Sequence, residues 1–430
     1  MGIDYIDLKY KPNNKDLVAE YYIEPEKGMA FEKAASNVAL ESSIGTWTAI
    51  STMNPGIARK LKPSVYYINK KTNSIKIAYP EELFEPGNMP EILSSIAGNI
   101  FGMKAVRNLR LQDINFPKKI LDSFHGPLFG ISGVRKLTGV KERPLVGTIV
   151  KPKVGLNEKQ HAKVAYDAWA GGLDVVKDDE NLSSMSFNNF RKRMYETFKL
   201  RDKAEKETGE KKIYMPNITA ETMEMLKRAD IVDECGGEYI MVDILTIGWA
   251  GLQTVRNYNK KIKKVIHAHR AMHGALTRNP KQGISMMTLA KIARLIGVDQ
   301  LHIGTAGVGK MHGGRNEELD VEYEIENQHI NERDDFHHTL RQDWHSIKPV
   351  LAVASGGLHP GMTPRLIKIM GKDIVAQYGG GCHGHPDGTL EGAKAIRQSL
   401  DAAMTGISLR EYVKTHEALR IALDKFGYVD

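Results

Sequence analysis

The chain has 430 residues, of which 41% are hydrophobic and 26% are charged, and this balance excludes a disordered or fibrous protein. It has two cysteines and no apolar run of the roughly 18 residues that a membrane span needs, so we expect a cytoplasmic protein without disulfides. The formal net charge is +8, but the densest charged run, residues 201–212, alternates in sign, which disfavours nucleic-acid binding.

The first 125 residues show strand and helix patterns in the order βαββαβ. Strand patterns cover residues 16–24, 65–69, 74–78 and 106–114, and helix patterns cover residues 31–43 and 90–101. The second and third strands flank a four-residue turn and therefore form a hairpin. This order predicts a ferredoxin-like α+β domain.

From residue 146 onward, short runs rich in valine and isoleucine recur eight times, each followed by a polar loop and a helical stretch. The predicted strands are 146–150, 173–176, 213–215, 239–244, 264–268, 300–303, 349–354 and 374–378. Strands that alternate with helices pair in parallel, and eight such units match a (β/α)₈ barrel. We therefore predict an α/β chain with an N-terminal α+β ferredoxin-like domain (1–125), a (β/α)₈ TIM barrel catalytic domain (126–405) and a C-terminal helical extension (406–430).

The sharpest local pattern follows the second barrel strand, where Lys177, Asp179 and Glu180 stand together. Active sites of such barrels lie at the carboxyl ends of the strands. Two carboxylates supply oxygen ligands that Mg²⁺ prefers, and a lysine becomes a third anionic ligand if CO₂ adds to its neutral amine as a carbamate. The alternative interpretation of these residues alone is a surface ion-pair cluster.

Other strand ends are also polar. Lys151, Lys153 and His269 are candidates for proton transfer, because lysines crowded near a metal can be tuned towards a neutral pKa. Arg270 and His302 could bind a phosphate through charge-assisted hydrogen bonds. Each residue alone also fits rim charge or a structural histidine, but their convergence on several strand ends favours a site.

Glycine-rich segments follow strands 6, 7 and 8 of the predicted barrel. The clusters after strands 7 and 8 offer backbone N–H groups to a second phosphate, so we expect a substrate with a phosphate at each end. The loop 304–310, which ends at Lys310, has the composition of a mobile lid. Each glycine cluster alone also fits a tight turn.

Six of these segments together resemble the large subunit of Rubisco, the ribulose-1,5-bisphosphate carboxylase/oxygenase. They are GTIVKPKVGL (147–156), GGLDVVKDDE (171–180), HAHRAMH (267–273), LHIGTAGVGK (301–310), ASGG (354–357) and QYGGGCHGHP (377–386). The N-terminal segments ALESSIGTWT (39–48) and AGNIFGMKAVRNLRL (97–111) extend the resemblance over nearly the whole chain.

The chain departs from the usual family pattern at three places. Ile149 replaces a threonine two residues before Lys151, Ile303 replaces a small residue, and the lid is one residue longer than usual. With the short C-terminus, these features look most like the archaeal form III group, which is associated with nucleotide (AMP) salvage.

The resemblance implies a role for each matching residue. The catalytic residues would be Lys151, His269, Lys310 and Lys177, and one Mg²⁺ per site would be held by Asp179, Glu180 and the carbamate that activating CO₂ forms on Lys177. The substrate-binding residues would be Lys153, Arg270, His302, Ser355, Gly356, Gly357, Gln377, Gly379 and Gly380. Glu41, Thr46, Trp47 and Asn99 match residues that complete the site from a neighbouring subunit, which implies a homodimer or an assembly of dimers. No partner motif for a small subunit is visible in the sequence, so we expect none.

The implied reaction is carboxylation of D-ribulose 1,5-bisphosphate, with CO₂ and water, to two 3-phosphoglycerates through a magnesium-stabilised enediolate. O₂ would compete with CO₂ for this intermediate. A Rubisco-like enolase or isomerase of sulfur salvage is one alternative, but such a protein typically loses several of the substrate residues that are present here. A non-catalytic anion-binding barrel is the other, and it would have no reason to keep a lysine beside two metal carboxylates.

Overall fold

The computed structural model describes residues 4–46, 48, 50–310, 314–333 and 339–429, so Trp47 lies outside the described residues. The chain forms two compact units. The first comprises Met1–Gly126, Met272–Ile296 and Asn327–Ile347, and the second comprises Pro127–Ala271, Gly297–Glu326 and Lys348–Asp430. The domain limits at residues 125 and 405 stay a prediction.

The elements are as follows. The strands are β1 (Asp16–Pro25), β2 (Ser64–Asn69), β3 (Ser74–Pro80), β4 (Val106–Asn115), β5 (Leu145–Ile149), β6 (Val175–Lys177), β7 (Ile213–Met215), β8 (Tyr239–Asp243), β9 (Val265–His269), β10 (Gly283–Ile284), β11 (Gln300–His302), β12 (His329–Ile330), β13 (Gln342–Asp343), β14 (Leu351–Ser355) and β15 (Ile374–Gln377). The α-helices are α1 (Phe31–Glu41), α2 (Pro55–Leu61), α3 (Met89–Ile96), α4 (Lys118–Asp122), α5 (Gly130–Thr138), α6 (Glu158–Ala170), α7 (Phe190–Thr208), α8 (Thr222–Glu234), α9 (Gly248–Ile262), α10 (His273–Thr277), α11 (Met286–Ile296), α12 (Arg315–Glu326), α13 (Thr363–Met370), α14 (Gly380–His383), α15 (Thr389–Thr405), α16 (Leu409–Tyr412) and α17 (Glu417–Phe426).

The first unit is built on a five-stranded sheet in the order β10-β4-β1-β3-β2. Strand β1 pairs antiparallel with β3 and β4, and β2 pairs antiparallel with β3, so the four N-terminal strands have the order 4-1-3-2 of a ferredoxin-like sheet. The short strand β10 adds a parallel edge to β4. The predicted N-terminal fold is confirmed.

Two helices of this unit differ from the prediction. The helix predicted for 90–101 ends at Ile96, because the backbone turns at Gly98, where a Cβ would lie 2.1 Å from the carbonyl oxygen of Ser94. The prediction missed α2, although its start has a clear signal: the side chain of Asn54 accepts from the N–H of Ile57, and Pro55 follows it.

The second unit contains the predicted barrel. Its eight strands are parallel and follow the order β7-β6-β5-β15-β14-β11-β9-β8. The ends of this order meet, since the N–H of Met241 donates to the carbonyl of Pro216 at 2.8 Å and the N–H of Ile218 donates to that of Met241 at 3.0 Å. Fully buried side chains from most strands and from α5 form its core: Val134, Leu145, Val175, Ile213, Met215, Tyr239, Val265, Leu351, Val353 and Val375.

The chain ends in three helices of the second unit. Helix α15 packs against α6 and α17, and its residue Ala402 forms a buried cluster with Leu409 of α16 and with Leu419 and Leu423 of α17. Within the described ranges, no helix is both long enough and apolar enough to span a membrane.

Candidate active site

The barrel carries most of the predicted site residues at the carboxyl ends of its strands. Strands β6, β9, β11, β14 and β15 end respectively at Lys177, His269, His302, Ser355 and Gln377. The remaining barrel candidates follow a strand end within a few residues or lie in the loop after one: Lys151, Lys153, Asp179, Glu180, Arg270, Lys310, Gly356, Gly357, Gly379 and Gly380. The strand ends of a closed barrel share one rim, so these groups belong to one face of the second unit.

Lys177 is a buried amine, with only 1% of its surface exposed. Its Nζ donates to the carbonyl oxygen of Asp178 at 2.9 Å and lies 3.5 Å from Glu180 Oε2. Burial lowers the pKa of this ammonium, although the charges of Glu180 and Asp179 oppose the shift. Burial therefore makes the neutral amine of Lys177 more accessible than that of a lysine in water.

Asp179 and Glu180 each form an ion pair with a lysine from the segment after β5. The fully buried Asp179 has its Oδ2 atom 2.6 Å from Lys151 Nζ. Lys153 Nζ lies 3.8 Å from Glu180 Oε1. Burial acts to raise the pKa of Glu180, but the charges of Lys177 and His269 outweigh it and lower this pKa to about 2. Glu180 is therefore ionised at neutral pH.

Asp178, which lies between these residues in the chain, has a structural role. Its carboxylate accepts from Tyr214 Oη at 2.5 Å, from Arg193 Nη2 at 3.2 Å and from the N–H of Asn217 at 3.0 Å. The side chain of Asn217 in turn donates to the carbonyls of Asp179 and Glu180. These contacts of Asp178 and Asn217 fix the backbone that carries the carboxylates of Asp179 and Glu180.

His269 has a partner that the sequence analysis missed. Its Nδ1 lies 2.7 Å from Oδ1 of Asp243, the last residue of β8, and its Nε2 lies 3.7 Å from Glu180 Oε2. Because a carboxylate accepts, Nδ1 donates to Asp243 and Nε2 is left to exchange a proton. The signal was present in the sequence, since Asp243 is the penultimate residue of the predicted strand 239–244.

His302 is also fixed by a residue outside the prediction. Its Nε2 lies 2.8 Å from Nε2 of His267, whose Nδ1 lies 2.8 Å from Gln300 Oε1. Burial, with the neighbouring charges of His269 and His267, lowers the pKa of His302 well below its usual range. Burial likewise lowers the pKa of Arg270 to about 10, although Glu318 opposes this shift.

The loop that carries Lys310 is folded against the glycines after β14. The N–H of Lys310 donates to the carbonyl oxygen of Gly356 at 2.9 Å. A Cβ on Gly309 would lie 2.1 Å from the same oxygen, so this close approach requires glycine. Glu318 fixes the other end of the loop, where its carboxylate accepts from the N–H groups of Thr305 and Gly307 at 3.1 and 3.3 Å.

The segment after β15 lies beside Lys151. A Cβ on Gly379 would lie 3.5 Å from Lys151 Cε, and one on Gly380 would meet open space. Gln377 is 1% exposed, and neither polar atom of its side chain has a hydrogen-bond partner among the described residues. A buried amide without partners is suited to a bound ligand.

The candidates outside the barrel lie in the first unit. Glu41 and Asn99 line one cavity of about 840 Å³, together with Lys33, Asn37, Leu40, Gly102, Met103, Lys104 and Ala105. Thr46 does not line it, and Trp47 lies outside the described residues.

Two family models cover the chain. The model described as "Ribulose bisphosphate carboxylase large chain, N-terminal domain" matches residues 4–120, and the one described as "Ribulose bisphosphate carboxylase large chain, catalytic domain" matches residues 130–426. The chain belongs to the Rubisco large-chain family. It is therefore an enzyme of the ribulose bisphosphate carboxylase class, and the resemblance predicted from the sequence motifs is confirmed.

Archaeal Rubiscos are similar over the full length. The ribulose bisphosphate carboxylase of Methanosarcina mazei is 53% identical over 427 residues and covers 99% of each chain. Among solved structures, the dimeric archaeal Rubisco from Hyperthermus butylicus has a TM-score of 0.93 at 46% identity and covers 99% of both chains. An octameric Rubisco from Pyrococcus horikoshii, solved with a sulfate ion, has a TM-score of 0.91 at 46% identity and covers 99% of this chain and 96% of that one.

Proposed function

We propose that this chain carboxylates D-ribulose 1,5-bisphosphate with CO₂ and water to two 3-phosphoglycerates through an enediolate, and that O₂ competes with CO₂. Membership of the Rubisco family gives the activity class. The observation that carries the finer proposal is the buried Lys177 amine between ionised Glu180 and the Lys151–Asp179 pair. In this arrangement Lys177 would carry the carbamate, and Lys151, held by Asp179, would carry the proton.

The residues around Lys177 fit one Mg²⁺. In the part of the chain that the structure describes, no three His, Cys, Asp or Glu side chains converge on one metal position. Asp179 and Glu180 therefore need a ligand of another kind, and a carbamate formed by activating CO₂ on the buried Lys177 amine would supply an anionic oxygen. When bound, the ion would polarise the substrate carbonyl.

Lys151 and His269 are the proposed acid–base groups. Lys151 Nζ is held by Asp179 at 2.6 Å and would move protons at the reacting carbons, including reprotonation of the product. His269 is held by Asp243, which leaves Nε2 to give or accept a proton. Lys153, near Glu180, would contact the substrate close to the same carbons.

The two phosphates would be bound at separate parts of the rim. Arg270 and His302 would hold one. The second would lie against glycine backbone and polar groups from the last two strand ends: Ser355, Gly356, Gly357, Gln377, Gly379 and Gly380. Lys310, whose loop already contacts Gly356, would cover the substrate and stabilise the new carboxylate.

We further propose that two subunits build each site. Glu41 and Asn99, which share a cavity, would complete the barrel site of a partner together with Thr46 and Trp47. The similar solved structures are described as dimeric and octameric, which supports a homodimer or an assembly of dimers. We expect no small subunit, and similarity to archaeal Rubiscos supports a place in AMP salvage.

The decisive experiment is fixation of ¹⁴CO₂ into acid-stable product with purified protein, ribulose 1,5-bisphosphate and Mg²⁺, without O₂, after preincubation with CO₂. We expect fixation by the wild type and its loss in Lys177→Ala. Lys212→Ala is the matched control, because Lys212 is also a fully buried lysine but donates to the carbonyl of Leu173 before β6. Absence of fixation by folded, preactivated wild type would contradict the proposal and favour the enolase-type alternative.

A further inference from the structure

His383 connects two parts of the barrel rim, and the proposed reaction has so far given it no role. It is the last residue of α14 and lies two residues after Gly381, the last of the glycines that follow β15. Its Nε2 lies 2.9 Å from the carbonyl oxygen of Ile149 and 2.9 Å from Thr148 Oγ1. Its Nδ1 lies 3.0 Å from Thr389 Oγ1.

These partners determine which ring nitrogen carries the proton. The carbonyl oxygen of Ile149 can only accept, so Nε2 of His383 is protonated and donates to it. The Thr148 hydroxyl gives its own hydrogen to the carbonyl oxygen of Tyr378 at 2.6 Å, so its oxygen accepts from the same Nε2–H. Nδ1 therefore accepts from the hydroxyl of Thr389. The ring is held on both sides.

The ring also stays neutral in the physiological range. Burial, helped by the nearby charge of Lys151, lowers the pKa of His383 to about 4, although the hydrogen bond to Ile149 opposes the shift. The contacts of the ring therefore remain the same between pH 6 and pH 9.

The hydrogen bond from His383 to Ile149 acts on the backbone segment that carries Lys151. Ile149 is the last residue of β5 and lies two residues before Lys151, so its carbonyl oxygen is part of the backbone that leads into Lys151. At the other end of the contact, the N–H of His383 donates to the carbonyl of Gly379 at 3.2 Å. A Cβ on Gly379 would itself lie 3.5 Å from Lys151 Cε.

We propose that His383 is a positioning residue that holds Lys151 in place for proton transfer, by fixing the end of β5 to the glycine segment after β15. This inference rests on the proposed function. His383 acts through the backbone of Ile149 and does not need to touch the substrate. Its loss should therefore slow the proton-transfer step more than it weakens substrate binding.

The test compares three variants of the full-length protein. His383→Leu removes all three hydrogen bonds of the ring, and His383→Gln keeps an N–H donor for Ile149. His385→Leu is the matched control, because His385 Nε2 makes a bond of the same length, 2.9 Å, to the carbonyl of Ala418 in α17. The readouts are kcat, KM for ribulose 1,5-bisphosphate, thermal unfolding and exchange of the substrate C3 proton with solvent.

We expect His383→Leu to lower kcat and C3 proton exchange by the same factor, about tenfold or more, with KM changed by less than about threefold. His383→Gln should restore at least about half of the lost kcat, and His385→Leu should keep kcat within about twofold even where it lowers the unfolding temperature. The ratio of variant to wild-type kcat should stay constant between pH 6.5 and pH 8.5, because the ring of His383 does not titrate there.

A folded His383→Leu protein with wild-type kcat would overturn the inference, as would an equal loss of kcat in His385→Leu. If His383→Leu does not fold, His383→Asn replaces it, because the shorter amide can still reach Thr389 but cannot donate to the carbonyl of Ile149, and an unchanged kcat would then overturn the inference. A wild type that exchanges the C3 proton but fixes no CO₂ contradicts the carboxylase, while the exchange rates still decide the role of His383.

Discussion

At the scale of single residues, neighbouring acids in the KDDE segment have opposite environments. Lys177 and Asp179 lie two residues apart on one side of a strand end, whereas Asp178 points to the other side and is held by Tyr214 and Arg193. Strand periodicity predicts this division from the sequence. The tautomer of His269 does not follow from the sequence, because its partner Asp243 lies on another strand.

The first prediction concerns Asp243. Asp243→Asn should lower kcat by roughly 100-fold, because an amide in place of the carboxylate no longer favours a donating Nδ1 on His269. Steady-state kinetics with thermal unfolding measure this effect. Asp230→Asn is the control, since Asp230 accepts from Tyr258 Oη at 2.6 Å in a part-exposed helix contact. An Asp243→Asn protein with wild-type kcat would contradict the proposed role of His269.

At the scale of elements, charged residues form a row across the sheet of the first unit. Glu20 of β1 is in register with Lys76 of β3 and with Asp113 of β4, and Asp113 Oδ1 lies 2.7 Å from Lys291 Nζ. All four side chains are buried. Burial raises the pKa of Glu20 to about 7, although Lys76 opposes the shift.

This row predicts how stability depends on pH. The folded protein binds the Glu20 proton more tightly than the unfolded chain does. The contribution of this proton to the free energy of unfolding is therefore fully present below about pH 4.5 and is lost as pH rises through 7. The expected loss is about 3 kcal/mol in the free energy of unfolding. Urea unfolding between pH 5 and pH 8 measures it, and Glu20→Gln should flatten the dependence. A wild type and a Glu20→Gln variant with parallel pH profiles would contradict the assignment.

At the scale of the whole molecule, the proposed site needs two chains. If Glu41 of one subunit completes the barrel of its partner, a mixed dimer of Glu41→Ala and Lys177→Ala chains contains one intact site and one doubly defective site. Random mixing should then restore about a quarter of wild-type activity, because half of the dimers are mixed and each has one working site of two.

Coexpression of the two variants, with assay of the purified mixture, measures this complementation. Each variant alone is the control and should be inactive in ¹⁴CO₂ fixation. A mixture as inactive as its components, with mixed dimers demonstrated by differently tagged chains, would show that Glu41 and Lys177 act in the same subunit.

The sequence by itself determined the order of elements in the N-terminal domain and the eight barrel strands to within about two residues, because both depend on local hydrophobic periodicity. It determined the family through residue motifs that are spread over nearly the whole chain. It also placed the main candidate residues, since strand ends of a parallel barrel are functional positions.

Only the tertiary structure decided which side chains meet. The pairs His269–Asp243, His302–His267 and His383–Ile149 join residues from separate strands or loops. Their geometry depends on which strands lie side by side in the barrel, which no local pattern encodes. The burial that lowers the pKa of Lys177 is likewise a property of the closed barrel, because it comes from groups distant in the chain.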